Sequence, residues 1–210
     1  PCGHWDKNVV RLRYSRTTLL PLMRVLCTNG IAESMASGVS NKLTGQVGEH
    51  LVSAVLGTLG YYASPYSGNV PGFDVTAVHS ESLKSFPVQV KASTTGALVQ
   101  SSIDKWCDHS IDEDNRQTIG PLKPLKHPNL VWVLVRLGDS GISGARFFIC
   151  TERDIQQKIV ARYSAFMERH DYRRPGGGAS PQAILNIKDV VEFEDNWRIL
   201  PDYQADVDLA

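Results

Sequence analysis

The chain lacks any apolar run long enough to cross a membrane. Its longest uninterrupted apolar stretch extends only from Leu130 to Val135, whereas a membrane-spanning helix needs about 18 apolar residues or more. A secretion signal is not expected either, because Pro21 and Arg24 interrupt the only apolar segment near the start of the chain. We therefore expect a soluble protein of the cytoplasm with no membrane partner.

Cysteine is scarce, and the cysteines that are present are scattered along the chain. Cys2, Cys27, Cys107 and Cys150 include no pair with the CxxC spacing from which zinc sites are commonly built. A chain of 210 residues with 42% apolar content can also bury a core without disulfide support. We expect four reduced thiols and no metal site made of thiolates.

An excess of charge of either sign is lacking as well. The 22 Lys and Arg residues equal the 22 Asp and Glu residues in number. A chain without net charge is not drawn as a whole to nucleic acid or to anionic lipid. Any nucleic-acid site must therefore be a local cluster of basic side chains.

The chain divides into three predicted parts. Residues 1–39 have neither helical nor strand periodicity and are predicted to be an irregular arm or a non-native extension. Residues 40–200 are predicted to form one domain, which agrees with the usual size of about 100–200 residues per domain. Residues 201–210 are predicted to be an acidic tail.

Within the predicted domain, apolar periodicity and turn residues indicate helices and strands. Helices are predicted over residues 44–59 and 152–169, with Thr44 and Thr151 as their N-caps. Strands are predicted over residues 61–66, 73–78, 86–92, 129–137 and 145–150. Polar residues 101–114 are predicted to be helical, and residues 120–128, which contain three prolines, to be a loop. This order predicts an α/β fold whose mixed central β-sheet is flanked by helices.

Four polar side chains fall where these elements would bring them together. Gln89 and Lys91 are two residues apart on one strand, so they project from the same face. Glu49 lies at the margin of the apolar stripe of the first helix, where it is held against the sheet. Asp74 follows Gly72 at the start of the preceding strand. If the two strands pair, these four side chains converge.

Read in order, this set resembles the PD-(D/E)XK nuclease superfamily, whose members have a Glu on a helix, an Asp at a strand start and (D/E/Q)xK on the next strand. The resemblance covers residues 45–92, and the predicted elements of residues 129–169 are similar to the end of the same core. It looks most like resolvase-like and type IV restriction-like members, which have QxK in place of ExK. The resemblance implies a restriction-endonuclease-like core, metal-dependent hydrolysis of DNA phosphodiester bonds and a homodimer.

The resemblance also implies a role for each residue. Mg²⁺, for which Mn²⁺ can substitute, prefers oxygen ligands. Asp74, the Gln89 amide carbonyl and the Val90 backbone carbonyl would supply them, with Glu49 adding charge directly or through water. Lys91 would position the nucleophile or neutralise the phosphate. Because Gln89 replaces an anionic ligand by a neutral one, we expect weaker metal binding than an ExK site would have.

Other interpretations remain open beside this one. The same fold without catalysis would bind nucleic acid or a protein partner, which the neutral Gln89 favours. Alternatively, the acidic stretch Asp189–Asp208 would dock a basic partner. For nucleic-acid binding, the candidate contacts are the basic residues Lys158, Arg162, Arg173 and Arg174. A solvated helix face with favourable charge near its C-terminus is the alternative account of these basic residues.

Overall fold

A computed structural model describes residues 37–66, 71–138 and 141–204 of the protein. The predicted arm therefore lies outside the described residues except for its last three, and most of the predicted acidic tail lies outside them too. In the described ranges, no helix is both long enough and apolar enough to span a membrane.

Two α-helices occur in the described residues. Helix α1 covers Ser37–Thr58 and helix α2 covers Glu152–Glu168. The predicted N-cap at Thr44 is wrong, because α1 begins earlier and Thr44 continues it. The end of α1 is close to its prediction, since Gly60 takes a φ of 85°, a left-handed conformation that favours glycine. The N-cap of α2 is confirmed: Thr151 and Asp154 form a reciprocal capping box.

The described residues also form nine β-strands. They are β1 Tyr61–Pro65, β2 Val75–His79, β3 Ser85–Ser93, β4 Ala97–Ser102, β5 Cys107–Ile111, β6 Gln117–Leu122, β7 Val131–Gly138, β8 Gly141–Thr151 and β9 Gln182–Asn186. The central sheet has the order β1-β2-β3-β7-β8, with β3 and β7 parallel and the other neighbours antiparallel. The predicted α/β fold with a mixed central sheet is confirmed.

The prediction of a helix over residues 101–114 is wrong. This region contains the end of β4, a single 3₁₀ turn at Ile103–Lys105 and β5. Strand β4 pairs with the distant β9, and β5 pairs with β6. The loop predicted over residues 120–128 starts only after Leu122 in the structure, because β6 extends to that residue. The partner of β4 lies far away in sequence, so local periodicity does not reveal that strand, whereas β5 and β6 form a local hairpin.

Strand β7 separates two hydrophobic clusters, as its continuous apolar run predicts. Its alternate residues Val131, Val133 and Val135 pack with α1 in one cluster. Trp132 and Leu134 belong to the other cluster, with α2, β4 and β9. The two helices therefore cover opposite faces of the central sheet.

Candidate active site at the interruption between β2 and β3

The pairing of β2 with β3 stops part-way along β3. The last register pair is Val75 with Val88, whereas β3 continues to Ser93. The chain turns away before β2 at Gly72, whose φ of 102° is in the region that favours glycine. The edge of β3 beyond Val88 therefore faces a gap, which we call the β2–β3 notch.

The carboxylate of Asp74 fills part of the notch. Its Oδ2 accepts a hydrogen bond from the backbone N–H of Val90 at 2.7 Å and a second one from Nε2 of Gln89. A strand edge that has lost its neighbour leaves backbone donors unpaired. Asp74 supplies the missing acceptor, and its orientation is fixed by the same contact.

Helix α1 approaches β3 closely beside the notch. A Cβ added at Gly48 would collide with the Cβ of Ala92, so this approach requires glycine. Glu49 follows directly and is half-buried against the sheet. The glycine therefore determines how near the Glu49 carboxylate lies to the notch.

The electrostatics of Glu49 connect the predicted residues. Burial raises the pKa of Glu49 most, and the negative charge of Asp74 raises this pKa further. His50, which is exposed, and Lys91 act in the opposite direction. Glu49, Asp74 and Lys91 therefore share one electrostatic neighbourhood, and Gln89 joins them through its contact with Asp74.

The donor set of the notch fits a hard divalent cation with few anionic ligands. Glu49 and the Oδ1 atom of Asp74 offer anionic oxygens, and the backbone carbonyl of Val90 lies 3.5 Å from Nε2 of Gln89. No group of three or more His, Cys, Asp and Glu side chains suited to a metal occurs among the described residues. In the notch, Gln89 stands where an ExK site would have a third carboxylate, and it turns its amide nitrogen to Asp74.

A cavity of about 560 Å³ adjoins the notch on the α2 side of the sheet. We call it the tryptophan cavity; its wall includes Gly72, Gln89, Lys105, Trp106, Trp132 and Gln156. Trp106 and Trp132 are buried, and sequence reasoning missed the cavity that they line. One signal in the sequence was Gln156, a polar residue on the buried face of α2 between Ile155 and Ile159.

Two of the predicted nucleic-acid contacts are used inside the domain. Lys158 pairs with Glu192, and Arg162 pairs with Asp189 at 2.5 Å. Glu194 and Asp202 pair in the same way with Arg146 and Lys84. Much of the acidic stretch 189–208 that lies in the described ranges is thus neutralised by the chain's own basic residues.

The other two predicted contacts lie in the glycine-rich loop after α2. Arg173 reaches Asp171 at 3.4 Å, and Arg174 donates to the backbone carbonyls of Ser180, at 2.6 Å, and Gln182. Arg174 also lies over the ring of Tyr163. Both arginines tie the loop to the domain, so a role in nucleic-acid binding would be additional to this structural one.

Comparison of the chain with family models, with curated proteins and with solved structures gives no match. No residue role can be transferred from a relative. The geometry of the notch, where three separate elements bring Glu49, Asp74, Gln89 and Lys91 together, therefore carries the functional inference.

Proposed function

We propose that the protein is a metal-dependent endonuclease with a restriction-endonuclease-like core, which hydrolyses DNA phosphodiester bonds at the β2–β3 notch. The observation that carries the proposal is the meeting of Glu49 from α1, Asp74 from the start of β2, and Gln89 and Lys91 from β3 at one interruption of the sheet. The central sheet and its two helices support it: α1 is followed by the antiparallel strands β1, β2 and β3, then by β7 parallel to β3, by the antiparallel β8 and by α2. Strands β4, β5 and β6 are inserted between β3 and β7 and lie outside this sheet.

In this proposal Glu49 and Asp74 hold Mg²⁺ or Mn²⁺, and the carbonyl oxygens of Val90 and the Gln89 amide complete the ligand set. A bound divalent cation supplies Lewis-acid stabilisation of phosphoryl oxygens and an activated water. The backbone N–H of Val90 and the Gln89 amide orient Asp74 for this task. With two carboxylates only, the site needs higher cation concentrations than a three-carboxylate site would.

Lys91 is the proposed catalytic lysine. Its side chain is exposed at the notch, and it has no hydrogen-bond or ion-pair partner among the described residues. An unpaired ammonium group beside two carboxylates is suited to neutralise a scissile phosphate and to position the attacking water. Since duplex cleavage uses two active sites, the proposal includes a homodimer, which analytical ultracentrifugation would detect.

Cleavage assays test this proposal directly. Linear, nicked, branched and single-stranded DNA are incubated with the protein in Mg²⁺ and in Mn²⁺, together with the variants Asp74→Ala and Lys91→Ala. We expect cleavage by the wild type and a loss of about 100-fold or more in each variant, because each removes a group that stabilises developing charge. Lys188→Ala, which removes an exposed lysine elsewhere, is the matched control and should cleave normally.

One observation favours a second candidate, a nuclease-fold protein that binds nucleic acid or a protein partner without cleaving. Gln89 is neutral, and its amide nitrogen already hydrogen-bonds the Asp74 carboxylate. In this case all four DNA forms remain intact with either cation. Lys91→Ala then changes neither the fold nor binding. Intact DNA with the wild type under every condition would overturn the nuclease proposal and leave this one.

A further inference from the structure

The tryptophan cavity has the size and position of a ligand site beside the notch. Its volume of about 560 Å³ lies within the range of about 300–1,000 Å³ that is common for small-molecule sites. Gln89, whose amide contacts Asp74 in the notch, is also part of the cavity wall. In the sheet, Gln89 and Trp132 are register partners on adjacent strands. A molecule in the notch can therefore extend into the cavity on the same face of the sheet.

Two buried polar atoms of the cavity wall lack a hydrogen-bond partner within the described ranges. They are Nε1 of Trp132 and Oε1 of Gln156, whose residues are 3% and 1% exposed. The Gln156 amide cannot turn freely, because its Nε2 donates to the backbone carbonyls of Trp106 at 2.8 Å and Lys123 at 2.7 Å. Buried polar atoms are nearly always paired. One unpaired donor and one unpaired acceptor on residues of the same cavity indicate a ligand that has both functions.

The wall also carries charged side chains: the carboxylates of Asp104 and Glu152, and the lysines Lys105, Lys123 and Lys126. The Nζ atom of Lys105 lies 4.4 Å from the ring centre of Trp106 and 5.2 Å from that of Trp132. Partial burial lowers the pKa of Lys105, so its charged form gains from an anionic partner. Lys105 has no such side-chain partner at ion-pair distance in the described part of the chain.

We propose that the tryptophan cavity receives one unstacked nucleotide of the DNA substrate. Both unpaired atoms are closed to solvent in the free protein, so the ligand must displace side chains that line the cavity. The base edge then accepts a hydrogen bond from Nε1 of Trp132 and donates one to Oε1 of Gln156, while Lys105 neutralises the phosphate. The Watson–Crick edge of every base carries both acceptors and donors, and the energy of unstacking is smallest in single-stranded or damaged DNA. This inference rests on the proposed function, because it takes DNA as the substrate.

Other ligand classes leave part of the wall unsatisfied. An inorganic anion would pair with Lys105 and accept from Trp132, but it would bring negative charge to the carbonyl oxygen of Gln156. An apolar ligand would leave both buried polar atoms without a partner, which is unfavourable. A nucleotide combines a phosphate with a planar ring that has donors and acceptors, so it satisfies all three side chains.

Calorimetric titration without divalent cations tests the proposal, because no cleavage takes place under these conditions. The ligands are dAMP, dGMP, dCMP, TMP and the abasic deoxyribose 5-phosphate. We expect at least one nucleotide to bind about tenfold or more tightly than deoxyribose 5-phosphate. Trp132→Phe, which keeps an aromatic ring but removes the donor, should weaken its binding about fivefold. Lys105→Met, which keeps the apolar stem, should weaken it about tenfold.

Two matched substitutions serve as controls. Trp197→Phe removes an indole from the other hydrophobic cluster, and Lys188→Met removes an exposed lysine elsewhere, so both should bind nucleotides as the wild type does. Circular dichroism checks that each variant is folded. If Trp132→Phe does not fold, Lys105→Met still decides the test, because Lys105 is exposed overall and only its ammonium end lies against the tryptophan rings.

Three results would overturn the cavity proposal: no binding of any nucleotide, equal binding of deoxyribose 5-phosphate, or unchanged binding in the folded variants. The result is separable from that of the proposed function. DNA cleavage without nucleotide binding overturns the cavity proposal alone. Nucleotide binding without cleavage in Mg²⁺ or Mn²⁺ overturns the nuclease proposal alone.

Discussion

The two faces of the central sheet are built in different ways. Much of the α1 face comes from consecutive elements of the chain, α1 and β1 to β3, with further residues from β7, β8 and residues 197–200. The α2 face contains Trp106, Trp132 and Phe148 and is assembled from β4, β7, β8, β9 and α2. Gln89 and Lys91 of the notch project on the α2 side, where the tryptophan cavity lies, whereas Glu49 comes from α1 on the other side. The difference is one of assembly: consecutive elements form the α1 face as a rigid support, whereas elements far apart in sequence form the α2 face.

The largest predicted effects test whether the two faces are independent. Leu56→Ala on α1 and Ile159→Ala on α2 each remove a fully buried side chain, and we expect each to lower the free energy of unfolding by about 2–5 kcal/mol. Because the two residues belong to separate clusters, the double variant should lose the sum of the two within about 0.5 kcal/mol. Urea denaturation followed by circular dichroism measures all three values. A coupling above about 1 kcal/mol would mean that the sheet transmits packing changes between its faces.

The same contrast explains which features sequence reasoning predicts. Glu49, Asp74, Gln89 and Lys91 lie within one stretch of helix, strands and turns, so the sequence predicts that they converge once the two neighbouring strands pair. The tryptophan cavity draws on five separate stretches of the chain, among them β7 and α2. Its wall includes Lys105 and Trp106, which lie between β4 and β5, and Lys123, which follows β6. The pairing of β4 with β9 joins segments far apart in sequence, and the polar sequence of residues 101–114, which contains β5, is predicted to be a helix instead.

The sequence also did not predict the hydrogen-bonded polar side chains on the α2 face. Both ring nitrogens of His109 lie within hydrogen-bond distance of polar side chains, Nδ1 with Asp104 at 2.8 Å and Nε2 with Gln117 at 3.0 Å. Nε2 of Gln117 in turn donates to the backbone carbonyl of Ser180 at 3.3 Å. Sequence alone gives the residue types but not these partners, because the partners come from separate elements. The network fixes the 3₁₀ turn that carries Lys105 into the cavity wall.

A loss of stability of intermediate size is expected from a substitution at the contact of α1 with β3. It tests whether the α1 face is a rigid support. Gly48→Ala places a methyl group against the Cβ of Ala92, so we expect a loss of about 1–3 kcal/mol in the free energy of unfolding. Gly45→Ala in the same helix meets no atom and should stabilise the protein by up to about 1 kcal/mol. Chemical denaturation of both variants gives the comparison.

The rate of DNA cleavage is a second measurement on the variants Gly48→Ala and Gly45→Ala. Displacement of α1 by Gly48→Ala moves Glu49 away from the notch, so this variant should also cleave DNA more slowly than Gly45→Ala under the conditions proposed above. If Gly48→Ala were as stable as the wild type, α1 would be able to shift along the sheet, and the support would not be rigid.

The smallest predicted effect concerns the edge strand β8, which both faces share. Arg146 on β8 donates from Nε and Nη2 to the two carboxylate oxygens of Glu194, both at 2.6 Å. These hydrogen bonds hold the pKa of Glu194 below its usual value of 4.5. A carboxyl group with a lowered pKa in the folded state contributes stability above its unfolded pKa and loses it as the pH falls through the folded one. The contribution is therefore present at neutral pH and absent in strong acid.

Glu194→Gln isolates this contribution, because it keeps the size of the side chain and removes the charge. Since the pair is partly exposed, we expect a loss of at most about 1 kcal/mol at pH 7, which becomes smaller in 1 M salt. At a pH well below 4.5 the wild-type carboxyl is protonated too, so the two proteins should approach equal stability. Glu113→Gln, which removes an exposed carboxylate without a partner in the described residues, should have no effect at either pH. A loss that persisted in acid would mean that Glu194 stabilises the edge by packing and not by charge.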